Sequence, residues 1–238
     1  MTGWIVAAMC AFFVKGLCGF ANTLVFSTIL SFTASNISIS PVELLTGLPA
    51  NVIIAFRERQ FIRWKMSFNL IVWLIAGSIP GMLLLKTADA QAVKILFGAV
   101  IVAVGVEMYL RSISDMPRQD SKAVLLIISV LSGFLCGLYG IGALMGAYVG
   151  RMTRDAHEFK ANMCVVFTAE NLFRMAVYIM LGIITVETVW LAARILPFAL
   201  LGLVLGMAAG KKLNEATARK LVILMLIISG AALIMTNL

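Results

Sequence analysis

Histidine is almost absent from this chain: His157, in the charged stretch RDAHEFK, is the only one among 238 residues. No HExxH, no GxGD and no Ser/His/Asp set lies in the apolar sequence, so a membrane enzyme is not expected, nor a cofactor. His157 reads as a solvated loop residue. Cysteine is scarce as well. Cys10, Cys18, Cys136 and Cys164 all sit in apolar sequence with no CxxC pair and no Cys/His metal spacing, so they read as small buried hydrophobes and no metal is expected. The third scarcity is charge. Only 13% of residues are charged against 62% hydrophobic, with a mean hydropathy of +1.03, and this excludes a water-soluble globule. The opening residues, MTGWIVAAMC, lack a basic region and a small-residue cleavage pattern, so no removable signal peptide is expected.

What is present is apolar sequence in runs of spanning length, at about 2–34, 41–56, 65–86, 91–110, 122–150, 160–182, 187–210 and 218–237. Barrel-type alternation is missing, and in lipid every backbone polar group must find an internal partner, so the runs are helices. The expected fold class is an all-α integral membrane protein with the lipid bilayer as its surroundings. The formal net charge of +8 would suggest nucleic acid in a soluble domain. Here the nineteen Lys and Arg lie mostly in short loops, where they orient helices, and no nucleic-acid partner is expected.

The charged stretch RSISDMPRQDSK divides the chain near its middle and invites a search for duplication. At an offset of 125, residues 76–105 lie over 201–230, matching Gly77 with Gly202, Gly81 with Gly206, Lys86 with Lys211 and Gly105 with Gly230. At an offset of 121, GLCGFA (16–21) lies over GLYGIG (137–142), and Asn51 falls opposite Asn171 at an offset of 120. Glycines and loop lysines in one register are harder to match by composition than apolar residues. The expected organisation is a first repeat at 1–110, a cytoplasmic linker at 111–121 and a second repeat at 122–238.

Eight full crossings would scatter the loop cations over both faces. If 2–34 and 122–150 are re-entrant hairpins, each half keeps three full crossings and the halves become inverted. One side then holds Arg57, Arg59, Arg63, Lys65, Arg111, Arg118, Lys122, Arg151, Arg154, Lys160, Lys211, Lys212, Arg219 and Lys220; the other keeps Lys86 and Lys94. Two half-helices of about 15 residues, meeting near the midplane, would fill each hairpin. Inverted repeats with broken helices at the centre are the plan of a secondary transporter.

In such hairpins the returning half-helices start near Phe20 to Thr23 and near residues 141–144, with unpaired N–H groups deep in the membrane. Two such termini make an anion site. Gly16, Gly19, Gly137, Gly140 and Gly142 allow the turns, and Asn22 and Thr23 cap a half-helix or donate to a ligand. Lys15 has two readings: a charge beside the anion, or the partner of Glu170 or Glu43 in a continuous tilted helix. Arg174 likewise either pairs with Glu170 four residues earlier or faces the anion, with Glu170 then its restraint or a proton carrier. Asn51 and Asn171 are helix–helix glue or site lining. Glu43 is explained by the dipole of a helix beginning at Pro41, Arg194 by snorkelling, and Pro49, Pro80 and Pro197 by kinks.

A glycine break in the first segment of each of two homologous halves, GLCGFAN and CGLYGIGAL, in a small hydrophobic chain with a short central linker, resembles the TauE/SafE sulfite exporter family. The resemblance covers nearly the whole chain. It implies a bacterial inner-membrane permease for small anions such as sulfite, sulfonates, sulfoacetate or carboxylates. The expected function is a secondary transporter of such anions by alternating access; an anion channel and a transporter of amino acids or cations are the alternatives. The expected substrate contacts are Lys15, Gly16, Gly19, Asn22, Thr23, Asn51, Gly137, Gly140, Gly142, Asn171 and Arg174, with Glu170 as the coupling candidate. Coupling to a proton or another ion, transport direction and oligomeric state stay open.

Overall fold

The computed structural model describes residues 1–87, 122–140 and 142–210, with scattered positions between 95 and 110 and between 227 and 235. Among the described residues every regular element is a helix: α1 (Thr2–Cys18), α2 (Asn22–Leu30), α3 (Asn36–Arg57), α4 (Trp64–Thr87), α5 (Lys122–Tyr139), α6 (Ala143–Met152), α7 (Ala156–Met180) and α8 (Val186–Ala209). A short 3₁₀ turn, Arg59–Phe61, joins α3 to α4. Local sequence sets several of the ends. Asp155 caps α7 by accepting from the Glu158 amide at 2.8 Å, and Thr185 caps α8 by accepting from the Thr188 amide at 3.2 Å. Glycines in left-handed conformation stop α1 (Gly19, φ 82) and α5 (Gly140, φ 74).

Asn36–Arg57, Trp64–Leu85, Ala156–Met180 and Val186–Ala209 are long and apolar enough to cross a membrane. On α8 the side chains of Val189, Trp190, Leu201, Val204 and Leu205 point away from the protein and are exposed, an apolar surface that lipid covers. The chain is a multi-pass helical membrane protein. Most of the expected segments 91–110 and 218–237, and the linker at 111–121, fall outside the described residues.

The chain reverses at both glycine breaks. Trp4, in the first turns of α1, packs its ring edge-on against Phe26 of α2 with centroids 5.9 Å apart, so α2 runs back along α1. α5 runs in the same direction as α4, because Gly77 abuts Val130 and Gly81 abuts Phe134 and Leu138. α6 then returns to the start of α4, where Arg63 Nη1 donates to the Met152 carbonyl at 3.0 Å. The arms are unequal: 17 residues out and 9 back in the first hairpin, 18 and 10 in the second. The expectation of matched half-helices is corrected. The outgoing arms pack along α8 and α4 through glycine faces, and the shorter returning arms pack by larger apolar side chains, α2 on α3 and α6 on α4 and α7.

That packing is by small residues. α1 lies on α8, where Gly202 abuts Met9, Gly206 abuts Phe13, and Gly16 abuts Leu203 and Gly206, so the two run in the same direction. α4 and α5 meet through Gly77, Gly81, Gly133 and Gly137. In lipid no hydrophobic force joins helices, so close backbone approach over small-xxx-small faces supplies the contact. α3 and α7 cross between these pairs in opposite directions, with Ser40 beside Tyr178 (3.0 Å) and Glu43 beside Arg174. At one end of the bundle the α3–α4 turn is pinned to α7. Asn162 accepts from the Arg63 amide (2.8 Å) and Ser67 Oγ (2.9 Å) and donates to the Phe61 carbonyl (3.2 Å). His157 is exposed there, in the first turn of α7, with its Nδ1 2.9 Å from Glu58 Oε2. Arg57, Arg59, Arg63 and Lys65 therefore share an end with Arg154 and Lys160, as the loop charges led one to expect; the side chains of the other cations in that set, and of Lys86 and Lys94, lie outside the described residues.

Candidate functional site

Both breaks lead into a helix whose first amides have no side-chain cap. α2 starts at Asn22 after Ala21, which is held at φ 70, and α6 starts at Ala143 after Gly142. Alanine in the left-handed region costs roughly 1–2 kcal/mol, so the turn into α2 is strained and the surrounding packing holds it there. Asn22 and Thr23 do not cap α2. Their side chains reach across to α3.

A connected set of polar side chains fills the space between the breaks. Lys15 Nζ donates to Asn22 Oδ1 at 2.9 Å; Asn22 Nδ2 donates to Glu43 Oε1 at 2.6 Å; and Thr23 Oγ1 donates to the same oxygen at 2.8 Å. Across the site, Arg174 Nη2 lies 3.7 Å from Glu43 Oε2 and donates to Asn171 Oδ1 at 2.8 Å. Arg174 Nη1 donates to the Cys136 carbonyl at 3.1 Å, just before the second break, and Nε lies 3.4 Å from Glu170 Oε1. Tyr178 lies under the guanidinium, 5.9 Å from its ring centroid, and is itself tied to Ser40 and to the Gly137 carbonyl (3.3 Å). Lys15, Glu43, Glu170 and Arg174 are each at most 2% exposed, so no bulk solvent screens them. Two cations and two carboxylates thus share one buried volume. Glu43 Oε2, both oxygens of Glu170, Asn51 Oδ1 and Arg174 Nε make no hydrogen bond among the described residues.

A cavity of about 20 Å³, room for roughly one water, lies at the centre. Lys15 and the start of α2, from Phe20 to Leu24, line one side. Gly140 and Gly142 of the second break, with Phe167 and Asn171 of α7, line the other, and Glu43 and Asn51 of α3 complete it. Gly140 is held close: a Cβ there would lie 2.8 Å from Arg174 Nη1, 2.8 Å from Thr23 Cγ2 and 3.3 Å from Glu43 Oε2.

The structure brings Lys15, Asn22, Thr23, Asn51, Gly140, Gly142 and Asn171 to the cavity wall and Arg174 and Glu170 immediately behind it. Gly19 makes the first turn but sits beside Lys160. Gly16 and Gly137 are not turn residues. Each lies inside its helix, where a neighbouring helix passes too close for any side chain. Glu43 is a correction too. α3 begins at Asn36, so Glu43 is two turns inside it and its carboxylate belongs to the polar set, not to a helix start. Cys18, Cys136 and Cys164 are buried as expected, whereas Cys10 is exposed on the outer face of α1.

Over 99 residues the chain is 32% identical to a probable membrane transporter protein of Methanocaldococcus jannaschii, an alignment covering 39% of this chain and 36% of that protein. The chain therefore matches little more than a third of that relative's length. No solved structure matches. The sequence profile of the sulfite exporter TauE/SafE family matches residues 4–233, nearly end to end. With its helical membrane-spanning fold, its two glycine breaks and that match, the chain belongs to the sulfite exporter TauE/SafE family.

Proposed function

We propose that this protein is a secondary transporter of small anions, sulfite, organosulfonates or related carboxylates, working by alternating access in a bacterial inner membrane. One observation carries the reading: the N termini of α2 and α6, neither capped by a side chain, converge on one buried cavity beside Lys15 and Arg174. Each terminus carries about half a positive charge, and its free amides suit an oxyanion. The membership of the family and the name of the relative support transport in general. The anion is this reading's own step.

The halves, 1–110 and 122–238 with a cytoplasmic linker at 111–121, are taken as inverted repeats whose hairpins are re-entrant. The helix directions support this. The repeat equivalents α3 and α7 run oppositely, while α1 pairs with α8 and α5 pairs with α4 in an exchanged arrangement. Room for one water is too little for a sulfonate, so the halves must part to admit one, which favours a carrier over a channel.

The test is uptake of radiolabelled sulfite and a panel of small sulfonates into proteoliposomes, with Lys15→Ala and Arg174→Ala beside the intact protein. Saturable flux that both substitutions abolish is the expected result. No flux for any anion, or flux surviving both substitutions in folded protein, rejects the reading. A second reading draws on Glu43: two carboxylates balancing two cations suit a zwitterion such as an amino acid, and the panel should include one.

A further inference from the structure

The polar set is electrically balanced as it stands, Lys15 and Arg174 against Glu43 and Glu170, and it is already saturated with an anion of its own. Glu43 Oε1 accepts from Asn22 Nδ2 and Thr23 Oγ1, the two side chains at the start of α2 that would donate to a ligand. Its Oε2 lies 3.7 Å from Arg174 and faces the tip glycine of the second hairpin. The carboxylate therefore stands between the side-chain donors of the first hairpin, the guanidinium of α7 and the tip of the second hairpin. A second anion entering this volume would leave one negative charge unbalanced at membrane depth, which is costly.

We propose that Glu43 is an internal stand-in for the substrate, and that each substrate anion displaces it and is accompanied by one proton, taken up from the same aqueous side onto the Glu43 carboxylate. This rests on the anion reading above and adds to it the coupling ion and the residue that carries it. No bond other than the carboxyl O–H forms or breaks, and the proton leaves with the anion on the far side.

Glu43 is chosen over Glu170 on geometry. Glu43 lines the cavity, and Glu170 does not; Glu170 sits behind Arg174 on the same helix face, four residues away. Glu43 Oε2 makes no hydrogen bond, so a proton there displaces no existing donor. The charged groups facing Glu43 are Lys15 from α1 and Arg174 and Glu170 from α7, while α2 presents the neutral Asn22 and Thr23. Tyr178 contacts Arg174, and α8, also packed on α3, carries Glu187 and Arg194 at the surface.

The experiment uses methanesulfonate, which stays ionised throughout, so any proton that moves with it is carried by the protein. Binding to the intact protein is measured from pH 5 to 9, and proton movement is followed with a lumenal pH dye during uptake. Affinity should weaken by up to about tenfold per pH unit as pH rises, the signature of one proton bound with each anion. Glu43→Gln should bind with no dependence on pH and carry no proton. Glu43→Asp, too short to hold both Asn22 and Thr23, should bind more tightly than the intact protein and keep its pH slope. The inference is overturned if proton movement persists in Glu43→Gln, or if the intact protein moves methanesulfonate with no proton. Absence of binding by the intact protein to every anion in the panel would instead remove the anion reading, and this inference with it.

Discussion

Replacing Gly140 by alanine separates the strain of a hairpin tip from its contacts, because the protein contains a matched control. Gly140 and Gly182 share the same backbone conformation, φ 74 and φ 68, yet a Cβ on Gly182 meets nothing within 4 Å, whereas one on Gly140 meets Arg174, Thr23 and Glu43. Gly182→Ala should cost only the left-handed backbone penalty, roughly 1–2 kcal/mol. At a few degrees per kcal/mol for a chain of this size, that lowers Tm by about 2–8 °C. Gly140→Ala carries the same penalty and also pushes aside the Nη1 that donates to the Cys136 carbonyl, a charge-assisted bond whose loss adds about 1.5–3 kcal/mol. The assay is thermal unfolding of the detergent-solubilised proteins together with anion uptake after reconstitution. Gly182→Ala should transport like the intact protein, and Gly140→Ala should be the less stable of the two and transport-defective. Equal stability losses with transport intact in both would show that the second break does not hold Arg174, and the geometry argued for the site would fail.

The crossing faces and the loop pin yield two further outcomes. Gly81→Ala and Gly206→Ala, opposite each other at the sequence offset of 125 and with Cβ atoms that would press on the backbones of α5 and α1, should each cost about 1–3 kcal/mol by overpacking and lower Tm to a similar degree; a large loss at one and none at the other would count against the proposed equivalence of the two halves. Asn162→Ala leaves the Arg63 amide without its acceptor beside the buried Ser67 and should cost about 1–3 kcal/mol, read as increased protease cutting between Arg57 and Lys65 in otherwise folded protein.

Much of this fold was legible because glycine within an apolar run is a strong punctuator. GLCGFAN and LYGIG marked both reversals, and the returning helices begin at Asn22 and Ala143, inside the expected windows. Two glycines lie three apart in each break, and periodicity alone could not say which turns the chain. Gly19 and Gly140 do; Gly16 and Gly137 are fixed by the helices packed on them, which no local pattern reveals. Glu43 was misplaced for a related reason. Pro41 resembles a first helical residue, yet α3 starts five residues earlier in the stretch NISIS and runs through Pro41, which stands inside the helix past its first turn. Its role became visible only once α2 had folded back and α7 had crossed α3, contacts from 20 and 131 residues away along the chain.

The matched framework carries unmatched charges. In the repeat register Lys15 falls opposite Cys136, Glu43 opposite Met163, Glu170 opposite Ala50 and Arg174 opposite Ile54, and only Asn51 and Asn171 coincide. Symmetric hairpins can exchange roles when the two halves move; lone charges cannot. Among the described residues, the charge pair that joins the halves with both partners buried is Glu43 with Arg174, at 3.7 Å, and in the proposed carrier it spans the surface along which the halves separate to admit a ligand. Parting the halves without a ligand would leave a buried carboxylate and a buried guanidinium facing each other across empty space, at a cost of several kcal/mol. In the coupling proposed above, an anion on the Arg174 side and a proton on Glu43 remove that cost together. On that proposal, the same pair that closes the empty site makes its opening depend on the substrate, which is the condition for a carrier that does not leak.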